Sequence, residues 1–488
     1  MSFPTSKSLF PDLIVVFVVG ATILIGLNGY YSSIEFRDLY FGISSESLMQ
    51  TFPSEILKER PFSSIYFNHI QPPLFDSIRA LIAAFWSSDT IPLSHFVDIG
   101  IYLMYIGLFG LLGALVFTWV VKATHSRAYA WASMLIWVIH PSPISMAAFL
   151  DGTFLSSVLI SWMIFETWLI RRGEGSLWRL VILAILCFLT RAHFQWFFVP
   201  VFGVALLLIG VDRRRILLGM GALVFVVGLY CAKQYMLFGT VSSYGFQGDY
   251  LTGLFWIEEV RELNPTATDY NDICNGGSMT NEVECRKFFA DRFPSELLEL
   301  NFTYPAAARA VSGKWNTEDR WWLSHIHGRI LKRYCASNLG YCTESLWRSV
   351  KQNFPQYWVE TWERNNPVTA GIPWMRTYYR LAHNYPWLIF CAVVVVATTT
   401  ASRWRATPNS GGRNLSKITP ILRIIGVMVI PMYIFGVTLI GSVYDGFEGG
   451  RLKFLLEPTL YTFIVVQAFL SVKYIFVGSK REFESTRD

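Results

Sequence analysis

The side chains in this sequence whose type and setting suit chemistry gather beside apolar runs. Glu35, Arg37 and Asp38 follow the run from Leu13 to Leu27. A carboxylate at a water–lipid boundary has its pKa raised by partial burial, and it can then take a proton from an acceptor hydroxyl. Asp38 is the first choice for such a base. Glu35 is the runner-up and Arg37 a neighbour that would tune it. The plainer reading of Asp38 is a solvated loop residue or a helix cap. His69 stands just before Pro72-Pro73-Leu74. It can donate a hydrogen bond to a phosphate or orient an acceptor. It can equally be an interfacial histidine satisfied by backbone.

Three more places carry charge where charge is costly. Asp151 opens an apolar run after His140-Pro141-Ser142-Pro143. It is either a second acidic residue of a site or a carboxylate favoured by a helix N-terminus. Arg191 and His193 lie between two apolar runs. A charge at that depth needs a partner or a polar cavity. A phosphate matches the forked guanidinium, and a short outer turn is the bland alternative. Arg451 and Lys453 follow Tyr444–Gly450, which contains Glu448, and they precede Glu457-Pro458. Two cations there fit an anion, either a substrate phosphate or an acidic lipid headgroup, with Glu448 or Glu457 holding the arginine. Walker, HExxH and DxD motifs are absent. The missing DxD argues against a nucleotide-sugar donor held through a metal. A divalent metal is compatible with the site but not required, and no residue is assigned as a metal ligand.

The elements that position these residues are membrane helices. Hydrophobic residues make up 53% of the 488 and charged residues only 16%, well under the roughly 25% usual in soluble domains. The apolar residues come in blocks rather than alternating. About ten spans are expected, near 13–29, 97–121, 128–140, 153–170, 178–190, 195–211, 216–235, 386–401, 418–441 and 454–472. The third to sixth are short or closely spaced, which suits a kinked or re-entrant path. The first run lacks a clear cleavage site and reads as an uncleaved span.

Lys and Arg fall in every second loop: Lys122 and Arg127; Arg171, Arg172 and Arg179; Arg213, Arg214 and Arg215; Arg403, Arg405, Arg413 and Lys417; and the tail after 472. By the positive-inside rule those loops and both termini are cytoplasmic. Loops 30–96, 141–152, 191–194, 236–385 and 442–453 are left outside. Three regions follow. Residues 1–235 form a transmembrane part with the first outer loop, 236–385 an extracytoplasmic domain, and 386–488 a second transmembrane part with a cytoplasmic tail.

The segment 236–385 is long enough for a small domain. It holds Cys274, Cys285, Cys335 and Cys342, two close pairs that read as two disulfides in an oxidising compartment. The favoured pairing is Cys274–Cys285 and Cys335–Cys342, one of three connectivities. Ser324–Tyr334 and Leu346–Trp362 read as helices. The sequon Asn301-Phe302-Thr303 lies outside in this topology.

After the diproline, Leu74–Trp86 reads as a helix with Leu74, Phe75, Ile78, Leu81, Ile82 and Phe85 on one face and Asp76 and Arg79 off it. Such a helix suits the membrane interface. An acidic residue after the first span, a Pro-Pro-Leu opening a juxtamembrane helix and a late Arg-x-Lys-Phe…Glu-Pro segment resemble the GT-C superfamily of membrane glycosyltransferases. That resemblance implies an all-α polytopic fold with a catalytic first outer loop. It also implies inverting transfer of a sugar from an isoprenoid-phosphate donor to a glycan, lipid or protein acceptor outside the membrane. In that scheme Asp38 or Glu35 is the base, and Arg451, Lys453 and Arg191 hold the donor phosphate. His69, Asp151 and Glu448 line the site. The setting would be a bacterial inner membrane, or else the endoplasmic reticulum. Nucleic acid has no place in this reading. Two other classes stay open: a transporter or flippase of lipid-linked substrates, and a non-catalytic scaffold that kept the fold.

The charge pattern makes a prediction of its own. A cysteine introduced at Arg214 should react with a membrane-impermeant maleimide only after the membrane is permeabilised. Labelling of intact cells would contradict the topology.

Overall fold

The computed structural model describes residues 6–35, 44–46, 51–88, 90–242, 304–311, 317–358, 427–436, 455, 458–459, 461–462, 464–466 and 469. Among these residues the protein is helical and has no β-strand. The elements are α1 (Ser6–Glu35), α2 (Ser54–Glu59), α3 (Pro61–Tyr66), α4 (Leu74–Ala84), α5 (Leu93–Thr124), α6 (Arg127–Val138), α7 (Pro141–Ala147) and α8 (Gly152–Arg171). They continue with α9 (Leu177–Thr190), α10 (Phe198–Ile209), α11 (Arg213–Phe238), α12 (Ala306–Arg309), α13 (Glu318–Ser337), α14 (Leu339–Trp358) and α15 (Val427–Gly436).

Helix boundaries follow capping chemistry. The side chains of Ser126, Asp151, Ser176 and Asp212 accept backbone N–H groups at the starts of α6, α8, α9 and α11, which satisfies donors that no preceding turn can reach. α10 and α11 end on Gly210 and Gly239, whose φ values of 85° and 70° lie in the left-handed region that glycine enters without a steric penalty.

Among the described residues four stretches are long and apolar enough to cross a membrane: Leu9–Leu27, Leu93–Thr124, Gly152–Arg171 and Arg213–Phe238. The outermost of them expose apolar side chains, Phe10, Ile14 and Val18 on α1 and Leu217, Phe225 and Leu229 on α11. Faces of that kind need a lipid surrounding rather than water. The protein is therefore an integral membrane protein of the all-α class. α6, α9 and α10, on three of the expected spans, have 12, 14 and 12 residues. At 1.5 Å per residue they rise only about 18–21 Å, less than a hydrocarbon core of roughly 30 Å.

α1 and α5 run antiparallel. Arg127, just after α5, pairs with Asp12 at 3.4 Å, Gly113 faces Val16, Gly110 faces Phe17 and Gly20, and the Tyr102 hydroxyl reaches the Leu24 carbonyl at 3.5 Å. α1 therefore ends, at Glu35, near the start of α5. α8 is the most enclosed span, with Phe154 packed on Tyr105 and Phe109 of α5. α15 joins the same core through Ile430 and Ile434. The Tyr433 hydroxyl donates to the His193 carbonyl at 2.8 Å, and Tyr461 does the same to Ser133 at 2.8 Å. The C-terminal region thus packs directly on the N-terminal bundle.

The bundle has two chemically distinct ends. At one, Lys122 and Arg172 both pair with Glu174, Arg172 also donates to the Lys122 carbonyl, and Arg179 pairs with the buried Glu166 at 3.0 Å. These are loop cations that sequence analysis placed on a single side. At the other end lie α2, α3 and α4, the 139–151 and 191–197 turns and the C-terminus of α11. α13 and α14 follow one another with Asn338 between them, the joint spanned by a Cys335–Cys342 disulfide, and both are longer than the expected 324–334 and 346–362 helices. Cys187 and Cys231 are buried thiols within α9 and α11. Cys274, Cys285 and the expected 386–401 span lie outside the described residues.

The α1–α5 crossing depends on glycine. A Cβ at Gly110 would sit 2.8 Å from the Phe17 carbonyl oxygen, whereas one at Gly107 would meet nothing within 4 Å. Small residues at such crossings let two backbones approach closely. Gly110→Leu should therefore lower stability by about 1–3 kcal/mol, seen as a reduced melting temperature in detergent, while Gly107→Leu should change little. Equal melting of the two variants would contradict this packing.

Candidate functional site

The chemistry-bearing residues that are described lie at the loop end of the bundle, in three sets of contacts. The first is built on α4. This helix starts at Leu74, directly after the diproline, as its sequence requires. Its orientation differs from the sequence expectation. Phe75, Asp76, Arg79, Ala80 and Ala83 point inward, and Leu81 and Phe85 point outward. The charged pair is inside because it has protein partners there. Arg79 Nη1 donates to Asp76 Oδ1 at 2.9 Å and to the Phe52 carbonyl at 2.7 Å, and Nε reaches Ser45 Oγ at 3.3 Å. Glu46 approaches Arg79 Nη2 at 3.6 Å. The other Asp76 oxygen accepts from Asn68 Nδ2 at 3.1 Å and Gln71 Nε2 at 3.3 Å.

This network ties the loop to two spans. Asp98, near the start of α5, accepts the Ser45 N–H at 2.9 Å. On the opposite flank, Gln234 Nε2 of α11 donates to the Asn68 carbonyl at 3.0 Å, and Lys233 Nζ to the Tyr66 carbonyl at 3.0 Å. Burial pushes the Asp76 carboxyl above its ordinary range, against the opposing pull of the Arg79 guanidinium and its hydrogen bonds.

The second set joins Asp151 and Arg191, two of the residues singled out in the sequence. Asp151 caps α8, accepting the Thr153 N–H at 2.9 Å and the Thr153 hydroxyl at 2.6 Å. Arg191 Nη2 pairs with Asp151 Oδ2 at 3.2 Å and also meets Thr153 Oγ1. The Tyr105 hydroxyl donates to the Asp151 carbonyl. The helix-cap reading of Asp151 therefore holds, and Arg191 is its charged partner. The Arg191 Nε–H is buried and has no hydrogen-bond acceptor among the described residues. The guanidinium thus keeps one donor in reserve while its charge is partly neutralised.

The third set surrounds His69. Its ring is buried 4.8 Å from Phe238 and 5.7 Å from Tyr304, with Nε2 3.3 Å from the Tyr304 hydroxyl. Burial above all holds its pKa down to about 3, helped by electrostatic repulsion from His325 and Lys233 and opposed by a backbone hydrogen bond at Thr317. The neighbours of His69 are thus aromatic rings of the protein itself.

Glu35 is the final residue of α1, at the loop end. Asp38, Glu448, Arg451 and Lys453 lie outside the described residues. Among the described residues no group of three or more His, Cys, Asp and Glu side chains is placed to hold a metal ion. The sequence reading passed over Asp98, Lys233, Gln234 and Thr153 as site-building groups. The i, i+3 spacing of Asp76 and Arg79 was a usable signal for their pair. Asp98 and Gln234, lone polar residues at the edges of apolar runs, carried a weaker one. Comparison with protein-family models, characterised proteins and solved structures found no match for this chain.

The Asp151–Arg191 pair yields a direct test. Arg191→Met removes the cation and leaves Asp151 charged in a largely buried place. Breaking a buried pair from one side costs about 3–5 kcal/mol, and the slight exposure of Arg191 puts the expected loss near the lower figure. Arg191→Lys should recover part of it. Chemical denaturation in detergent measures both, and unchanged stability of Arg191→Met would remove the pair from the account.

Proposed function

We propose that this protein is an integral membrane glycosyltransferase of GT-C type, with about ten spans and both termini cytoplasmic. It would transfer a sugar from an isoprenoid-phosphate donor to an acceptor on the outer side of the membrane. The observation that carries this reading is a placement. The acid-bearing C-terminus of α1, the α4 helix opened by Pro72-Pro73 and the Asp151–Arg191 pair all belong to one end of the bundle. The outward Leu81 and Phe85 side chains of α4 suit contact with the acyl chains of a lipid-linked donor or its bilayer.

The reaction is a single displacement. Asp38 takes the proton of the acceptor hydroxyl, and the oxygen attacks the anomeric carbon. The bond to the lipid phosphate breaks with inversion. A phosphate leaving group departs as an anion and needs charge stabilisation more than a proton. Arg451 and Lys453 supply most of that charge. Arg191, already shared with Asp151, contributes its free Nε–H more than a full positive charge.

Asp38→Asn preserves size but cannot accept the proton. In lipid nanodiscs supplied with a labelled polyprenyl-phosphate sugar and a candidate acceptor, turnover should fall by roughly 10²–10⁴-fold while donor binding persists. Glu35→Gln should lose less. Full activity in both variants would overturn the assignment of the loop. Absence of any transfer by the wild type across donors and acceptors would favour a transporter or scaffold.

A further inference from the structure

Four parts of the chain meet in one buried aromatic cluster. His69 comes from the first loop, Phe238 from the end of α11, Tyr304 from just before α12, and Trp321 and His325 from α13. Tyr304 lies 5.7 Å from the Trp321 ring, which lies 4.8 Å from His325. The Phe238 carbonyl accepts from Trp321 Nε1 at 2.8 Å and faces His325 Nε2 at 2.9 Å. A ring nitrogen beside a carbonyl must be the donor, so neutral His325 carries its proton on Nε2. Beyond this cluster, the first loop and the α12 region are also joined by an exposed bond from Arg60 to the Ala310 carbonyl.

We propose that the His69–His325 cluster is an acid-labile latch. It holds the first loop against the α12–α13 segment at neutral pH and releases it when these histidines take up protons.

The charges facing the cluster explain the direction. Lys233 of α11 acts on His69 as a cation and Arg329 of α13 acts on His325, and a proton on His325 repels one on His69. The described carboxylate on this side, Glu318, is committed to Arg309 at 2.6 Å and to Trp322 Nε1 at 3.2 Å. Asp76, across Asn68, is committed to Arg79. A proton added to His69 therefore enters a buried cage whose neighbouring cations repel it, and a backbone hydrogen bond at Thr317 opposes this only in part. Burial holds both histidines below their ordinary value, His69 to about 3. The latched state thus binds fewer protons than the released one, where a histidine titrates near 6.5. Latching is fully stabilised above that value and weakens as pH falls from there toward about 3. Between pH 7.5 and pH 5, His69 alone should raise the release equilibrium about thirty-fold. The latch operates whether or not the protein transfers a sugar.

The test is a pulsed electron resonance distance measurement on the full chain in nanodiscs. Spin labels are placed at cysteines replacing the exposed Glu59 of α2 and Lys332 of α13. Expected is one narrow distance at pH 7.5 and a growing longer population as pH is lowered to 5 and then 4. His69→Phe retains the ring but cannot protonate, so its response should shrink by about the thirty-fold assigned to His69. His325→Gln retains an N–H donor for the Phe238 carbonyl and should also blunt the response. If His69→Phe lacks the narrow distance at pH 7.5, His325→Gln decides by the same criterion. An unchanged distribution at pH 4, or opening in the deciding variants equal to wild type, overturns the latch.

Discussion

The loop end of this protein hangs on the buried Asp76–Arg79 pair. Moving either ion out of water costs several kcal/mol, and attraction between the two offsets that only when the remaining donors and acceptors are also satisfied. Here they largely are. Ser45, Phe52, Asn68 and Gln71 surround the pair, and Glu46 stands close by. Each of these partners is also part of the chain being fixed. The pair therefore acts as a fastener between segments 44–46, 51–52 and 68–71, and α4 brings both ions in on one face.

The membrane setting explains why a polar fastener is used. Within lipid, apolar side chains gain little by leaving one apolar environment for another, so spans rely on close packing and polar ties. The Gly20–Gly110 contact of α1 and α5 is the first kind. Asp98 and Gln234, holding the loop from α5 and α11, are the second. The opposite end is held by Lys122, Arg172 and Glu174 in an exposed cluster, where screening makes each pair worth little. Polar ties to the spans are thus gathered where the described parts of the first loop sit.

Much of the bundle was legible in the sequence, because long apolar blocks and Lys/Arg loops report directly on span position and alternation. Asp151 read as a helix N-terminal carboxylate, and it caps α8. The α4 helix shows where the reading stopped. Its period was plain, but a period does not say which face is buried. Asp76 and Arg79 turned inward because Asn68, Phe52 and Ser45 meet them, and those contacts join residues up to 34 apart in the chain. The Asp151–Arg191 contact spans 40 residues, so each residue was noticed singly and the pairing was not. His69 was weighed as a hydrogen-bond donor to a phosphate or a residue orienting an acceptor. Its actual surroundings, Phe238 and Tyr304, come from stretches 169 and 235 residues away in number, beyond any local pattern.

The central claim is that Asp76 and Arg79 act as one unit that holds the first loop. A double-mutant cycle on Asp76→Asn and Arg79→Met measures it, using unfolding free energies of the full chain in detergent. Each single change strands the other partner and should cost about 3–5 kcal/mol. The double variant, with no buried charge left unpaired, should recover at least about 2 kcal/mol of the summed loss. Additivity to within about 0.5 kcal/mol would mean that the two residues contribute independently, and the loop would then need another anchor.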